Sequence, residues 1–209
     1  DRSESIRVIH AALDNGINLF DTAPDYGAGR SEEVLGLALT NRPEALVATK
    51  LKISGRSKAE RRASVENSLR RLKRDRVDLL QMHWPGGTKE ETASALDQFE
   101  SMQSEGIVRY VGVCNFGLFD LPETKEFRIV SNQIPYSLLW RVAEKGIGEE
   151  SQRRGLTTIA YGVIQQGLLG GKYTNLESFP AGRKRTRHFA PDWPNTRHSE
   201  PGMEDATSD

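Results

Sequence analysis

The chain has 209 residues, and its 29 Lys+Arg balance 29 Asp+Glu, a formal net charge of zero with His neutral. That balance excludes a protein whose main partner is a polyanion, because nucleic-acid binders carry a basic excess, and charge of mixed sign excludes a wholly disordered chain even at 36% hydrophobic content. One cysteine forbids an internal disulfide framework and fits a reducing cytoplasm, while no apolar run approaches the ~20 residues that span a bilayer, so neither membrane nor nucleic acid is expected as a partner.

Taken in chain order, the elements follow one repeated grammar of helix, glycine stop and short apolar strand. Ile6, Ile9 and Leu13 share one face of a first helix, which Gly16 ends in the left-handed conformation that suits a helix C-terminus. A strand over residues 17–23 follows. Ser31, with Glu32 and Glu33 behind it, reads as the N-cap of a second helix, and a strand over 45–51 comes next. Ser57 and Glu60 form a capping box ahead of a helix with Val65, Leu69 and Leu72 on one face, and residues 77–84 form the third strand. Thr88 and Glu91 read as a second capping box, before a helix with Leu96, Phe99 and Met102 or Gln103 on one face, which stops at Gly106. Strands over 108–114, 127–134 and 156–161 complete the pattern, the last preceded by a stop at Gly155.

Six strands that are apolar on both faces and alternate with helices predict an α/β fold with a parallel sheet. An open dinucleotide-binding sheet would carry G-x-G-x-x-G after its first strand, and Gly27-Ala-Gly29 lacks the third glycine. Instead, Asp21, Lys50, His83, Asn115, Gln133 and Tyr161 each fall at or just past the C-terminal end of a strand. Costly polar residues collected at the same end of every strand mark the active face of a (β/α)8 TIM barrel. The expectation is a single barrel domain over residues 1–209, incomplete because its first and last strands are missing, with 174–209 as a long polar loop or tail.

Asp21, Tyr26, Lys50 and His83 form a proton-transfer set. A tyrosine hydroxyl, with a reference pKa near ~10, is a weak acid at neutral pH until a nearby ammonium stabilises its phenolate. A carboxylate keeps the lysine in place and charged, and a histidine supplies a donor that orients a carbonyl oxygen. Taken singly, each has an ordinary reading: loop cap, surface cation, core histidine or loop aromatic. The combination at successive strand ends favours chemistry. Two basic clusters are also present. The excess between Lys52 and Arg76 reads as the solvated face of a helix. Arg183 to Arg187 reads either as a phosphate clamp or as a surface loop.

The stretches LFDTAPDYG followed by SEEVLG, then ATK, QMHWP, EGIVRYVGVCNF, SNQIPYSLL and IAYGVIQQGLLGGKY resemble the aldo-keto reductases in content and in order. The resemblance implies an NADP(H)-dependent oxidoreductase reducing a small-molecule aldehyde or ketone. Tyr26 would be the general acid, Lys50 would tune it, Asp21 would partner Lys50, and His83 would orient the substrate. Asn115 and Gln133 would hydrogen-bond the nicotinamide carboxamide, with Cys114 at a position where the family commonly has serine. Tyr161 would stack on the nicotinamide, although a core tyrosine is an equal reading. Gly162, Gly167, Leu168 and Lys172 would lie along the pyrophosphate, and Arg183 would reach a cofactor phosphate. Trp84 and Phe116 suggest an apolar pocket wall. The rival readings are a nucleotide-binding redox sensor with little turnover and an inactive truncated fragment.

Overall fold

A computed structural model describes residues 1–173 and Ser178. The expected tail over 174–209 and Arg183 therefore lie outside the described residues, Ser178 apart. The described residues form two compact units, Asp1–Cys114 with Glu123–Val130, and Asn115–Pro122 with the described residues from Ser131 onward.

The first unit contains α1 (Arg2–Asp14), β1 (Leu19–Asp21), α2 (Arg30–Ala38), β2 (Leu46–Leu51), α3 (Lys58–Leu72), β3 (Val77–Met82), α4 (Lys89–Ser104) and β4 (Val108–Cys114). Each strand pairs in parallel with the next, β1 with β2, β2 with β3 and β3 with β4. Parallel neighbours need a crossover that returns the chain to the same sheet end, and the intervening helices provide it. Val47, Leu51, Leu80 and Met82 of the strands are buried, as are Leu96, Phe99 and Met102 of α4. Gly16 and Gly106 sit at φ 83° and 82°, the left-handed stops the sequence predicts.

The helix starts match the expectations only in part. At α3 the capping box is complete: Ser57 accepts from the Glu60 amide, and the Ser57 amide donates to the Glu60 carboxylate. At α4 Thr88 accepts from the Glu91 amide, but the Glu91 carboxylate accepts instead from the amides of Gly55 and Gly87. It ties the loop ahead of α3 to the start of α4 rather than closing a box. Ser31 is not an N-cap. Gly29, at φ 91°, takes that position, and Ser31 lies in the first turn, its hydroxyl accepting from the Thr22 hydroxyl at 2.8 Å.

α2 and α3 approach closely at Gly36, where an added Cβ would lie 2.3 Å from the Arg71 carbonyl oxygen. The same contact buries Glu32 completely. Its carboxylate accepts from Arg71 Nε and from the Thr49 hydroxyl, each at 2.7 Å, so the buried charge is paired on one side and hydrogen-bonded on the other.

The second unit contains most of β5 (Ile129–Pro135), α5 (Ile147–Arg153), β6 (Thr157–Tyr161) and a 3-10 segment, Gln165–Gly170. β5 and β6 pair in parallel from Ser131↔Thr157 to Pro135↔Tyr161. The prediction of strands apolar on both faces holds for β2 and β3 but not for β1 or β6, whose residues are exposed or half-buried. Among the described pairings, β1 and β6 are each bonded along one edge only. No helix among the described residues is long and apolar enough to cross a membrane.

Candidate active site

The strand register assembles the first part of the site. Asp21 lies opposite Ala48 on β2, and Lys50 lies opposite Gln81 on β3. Directly paired residues of a parallel ladder point to the same sheet face, and so do residues two apart on one strand. Asp21, Lys50 and Gln81 therefore share a face by backbone geometry alone. Just past the end of β3, the backbone amide of His83 donates to the Leu51 carbonyl at 2.9 Å and extends the ladder by one residue.

Lys50 is almost completely buried, and its ammonium has three acceptors for three protons: Asp21 Oδ2, the Thr22 carbonyl at 3.0 Å and Tyr26 Oη at 3.1 Å. Its Nζ also stands 4.7 Å from the Tyr26 ring centroid. Burial alone would lower the Lys50 pKa, but the Asp21 carboxylate and Tyr26 outweigh it and hold the group above its ordinary value. Because Lys50 donates to Tyr26 Oη, the phenol proton points elsewhere. Tyr26 is 41% exposed.

His83 meets Tyr26 edge-on, ring centroids 6.2 Å apart at 81°, and Trp84 lies nearly parallel to His83 at the same separation. Asp25 Oδ2 is 3.8 Å from His83 Nδ1 and pairs with Lys52 at 3.0 Å. Burial, then the charges of Lys50 and Lys52, bring the His83 pKa down to about 4, so the imidazole is neutral at neutral pH. An ordinary histidine titrates near 6.5. Between pH 6.5 and 4 the unfolded chain therefore binds a proton that the folded chain refuses, and stability falls as the pH falls through this window. With the side chain only 13% exposed, the loss is roughly 3 kcal/mol at the acid end. Urea unfolding at pH 7 and pH 4.5 checks it: His83→Gln should flatten the difference, and an equal difference in both proteins would remove His83 as its source.

Cys114 is buried, and burial first of all pushes its thiol pKa up. In the second unit the Asn115 amide donates to the Gln133 carbonyl at 2.9 Å, and Asn115 Oδ1 accepts from Tyr161 Oη at 2.8 Å. Asn115 adopts φ 62°, a left-handed turn at the strand end that asparagine tolerates better than most residues. These three residues thus come together. Gly162, Gly167 and Gly171 all take positive φ, and added Cβ atoms at Gly162 and Gly171 would meet nothing within 4 Å. Leu168 lies in the 3-10 segment, and Lys172 stands 5.8 Å from the Tyr173 ring centroid. Phe116 is fully buried and belongs to the core rather than to a pocket wall.

Gln81 joins the site although no charge marks it in the sequence. Its Nε2 donates to Asp21 Oδ1 at 3.0 Å. The signal was available in strand parity, since Gln81 stands two residues before His83 on a buried apolar strand. The Thr22 carbonyl has no side-chain signature and could not have been read.

The Aldo/keto reductase family model matches residues 1–206. Aldo-keto reductase YhdN from Bacillus subtilis is 37% identical over 196 residues, covering 86% of this chain and 57% of that protein. Among solved structures, an aldo-keto reductase from Klebsiella pneumoniae in complex with NADPH superposes with TM-score 0.74 at 30% identity, over 79% of this chain and 60% of that one. A glycerol dehydrogenase from Gluconobacter oxydans superposes with TM-score 0.77 at 35% identity, over 97% of this chain and 64% of that one. The chain thus spans about three fifths of the length of these relatives. The matches bear out the expected α/β fold of the (β/α)8-barrel class, of which the described residues supply six strands.

Proposed function

The chain belongs to the aldo/keto reductase family, and from that premise we propose that it reduces an aldehyde or ketone to an alcohol with NADP(H), Tyr26 serving as the proton donor. The observation that carries the proposal is the Lys50 ammonium, held by Asp21 and donating to Tyr26 Oη at 3.1 Å. That bond turns the phenol proton away from Lys50 and places a positive charge beside the oxygen that would lose it. Electrostatic support arranged in advance costs no reorganisation when the charge develops.

The donor set fits a nicotinamide cofactor. Asn115 and Gln133 offer side-chain amides, each with donor and acceptor capacity for a carboxamide. Tyr161 offers a ring bonded to one of them. The open glycines at 162 and 171 and the Lys172 cation suit close approach of a phosphate to backbone. When bound, the cofactor supplies a hydride to the carbonyl carbon. On the protein side, neutral His83 donates an N–H to the carbonyl oxygen and fixes its direction. Tyr26 passes its proton to that oxygen, and Lys50 stabilises the phenolate left behind. Asp21 keeps Lys50 in place throughout. The substrate is a small carbonyl compound, and the single cysteine, buried as a thiol, fits a reducing cytoplasm.

The test begins with fluorescence titration of the chain with NADPH alongside NADH, followed by multiple-turnover NADPH oxidation against a panel of aldehydes and ketones. Saturable NADPH binding and sustained turnover support the proposal. Binding of neither nucleotide would overturn it for this chain, and binding without turnover on any carbonyl would overturn the reductase reading.

A further inference from the structure

The register that sets Lys50 opposite Gln81 leaves the glutamine touching neither cofactor nor substrate in the chemistry above, yet its side chain is spent on the centre of that chemistry. We propose that Gln81 is a positioning residue for the reaction: its amide fixes the Asp21 carboxylate so that the second carboxylate oxygen pins the Lys50 ammonium against Tyr26. The inference rests on the proposed carbonyl reduction and deepens it.

Four observations support it. The Asp21 carboxylate is divided, Oδ1 accepting from Gln81 Nε2 at 3.0 Å and Oδ2 from Lys50. An ionised carboxylate only accepts, so the atom facing it is the amide nitrogen, not the oxygen. Gln81 is 0% exposed, and its position opposite Lys50 in the ladder is fixed by backbone bonds rather than by a mobile loop. Finally, Gln81 Oε1 is buried with no hydrogen-bond partner. An unsatisfied buried acceptor costs about 1–3 kcal/mol, which an apolar residue of similar volume would avoid. A glutamine chosen only to fill the core is therefore a poor choice, whereas one holding a carboxylate is explained by its other end. The Asp21 side chain is 33% exposed, so water competes for its oxygens and the Gln81 amide helps to hold it on Lys50.

Gln81→Met keeps length and flexibility but removes the donor, and Gln81→Glu replaces the donor by a group that donates only when protonated. Two readouts apply to both variants and to the parent chain: the titration midpoint of Lys50, followed by NMR of the chain labelled at lysine Cε, and kcat and KM for a carbonyl substrate between pH 5 and 9. In Gln81→Met the Lys50 midpoint should move down, because burial remains while the carboxylate's hold loosens. Its kcat should fall roughly tenfold to a hundredfold with KM unchanged, the scale of a misplaced reacting group. Gln81→Glu should be impaired at high pH by two adjacent carboxylates and recover on acidification, when its carboxyl again donates to Asp21. A residue that merely packs would not produce that recovery.

An unmoved Lys50 midpoint in Gln81→Met, an undiminished kcat beside an active parent, or a Gln81→Glu pH profile identical to the parent's would each overturn the inference. If the parent chain itself shows no turnover, the reductase reading fails, and the Lys50 titration still decides whether Gln81 positions Asp21. If Gln81→Met does not fold, the pH profile of Gln81→Glu decides instead.

Discussion

Replacing Tyr26 by phenylalanine is expected to cut kcat by about 10²–10⁴, the usual worth of a positioned proton donor, while NADPH affinity stays at the parent value. The substitution is narrow. Phe keeps the ring that Lys50 faces at 4.7 Å and that His83 meets edge-on, and it removes only the oxygen that accepts from Lys50. A Tyr26→Ala change would also open space beside His83 and blur the result. The measurement is kcat on a good carbonyl substrate together with the NADPH fluorescence titration. Loss of turnover with binding intact places the missing interaction in the chemical step. Full turnover in the variant would move the proton donor to another group and overturn the assignment.

The second large effect is on stability. Alanine in place of a helical glycine ordinarily stabilises a protein by about 0.5–1 kcal/mol, and Gly36 lies inside α2. Here the sign should reverse. The new Cβ would stand 2.3 Å from the Arg71 carbonyl oxygen and 2.9 Å from the Leu72 Cα, both backbone atoms that no rotamer change can move aside. The two helices must separate, and overpacking of this kind costs about 3 kcal/mol or more. Separation would also draw Arg71 from the buried Glu32, whose other oxygen accepts from Thr49, the residue before Lys50 on β2. Urea unfolding of Gly36→Ala measures the cost, and a variant as stable as its parent would show that α2 and α3 do not need this approach.

Much of the site was legible because it is written in residue types that are expensive to bury. Asp21, Lys50 and His83 stand out against apolar strands, and each falls where a parallel strand ends. The glycine stops were legible for the same local reason, as their positive φ values depend on one residue at a time. What could not be read depends on neighbours distant in sequence. Ser31 has the chemistry of a cap, but its hydroxyl is held by Thr22 and the chain enters α2 at Gly29. Glu91 has the spacing of a capping box, yet nearby loop amides compete for its carboxylate. Phe116 follows a strand end, as a pocket residue would, and is instead wholly enclosed. Gln81 shows no charge, and only the register opposite Lys50 reveals what its amide does.

The three-acceptor cradle around Lys50 also bears on self-inactivation. In the proposed reaction a neutral lysine amine beside an aldehyde would attack the carbonyl carbon and lose water to give an imine, tying up both substrate and side chain. Lys50 is kept from that fate because its pKa is held above the ordinary value and its three protons are engaged by Asp21, the Thr22 carbonyl and Tyr26. The lone pair that imine formation requires is occupied. Cys114, the sole sulfur nucleophile, is buried and kept as a thiol, so it too is a poor target for adduct formation. If the chain performs the proposed carbonyl reduction, the arrangement around Lys50 would also spare it from covalent modification by its substrate at these two positions.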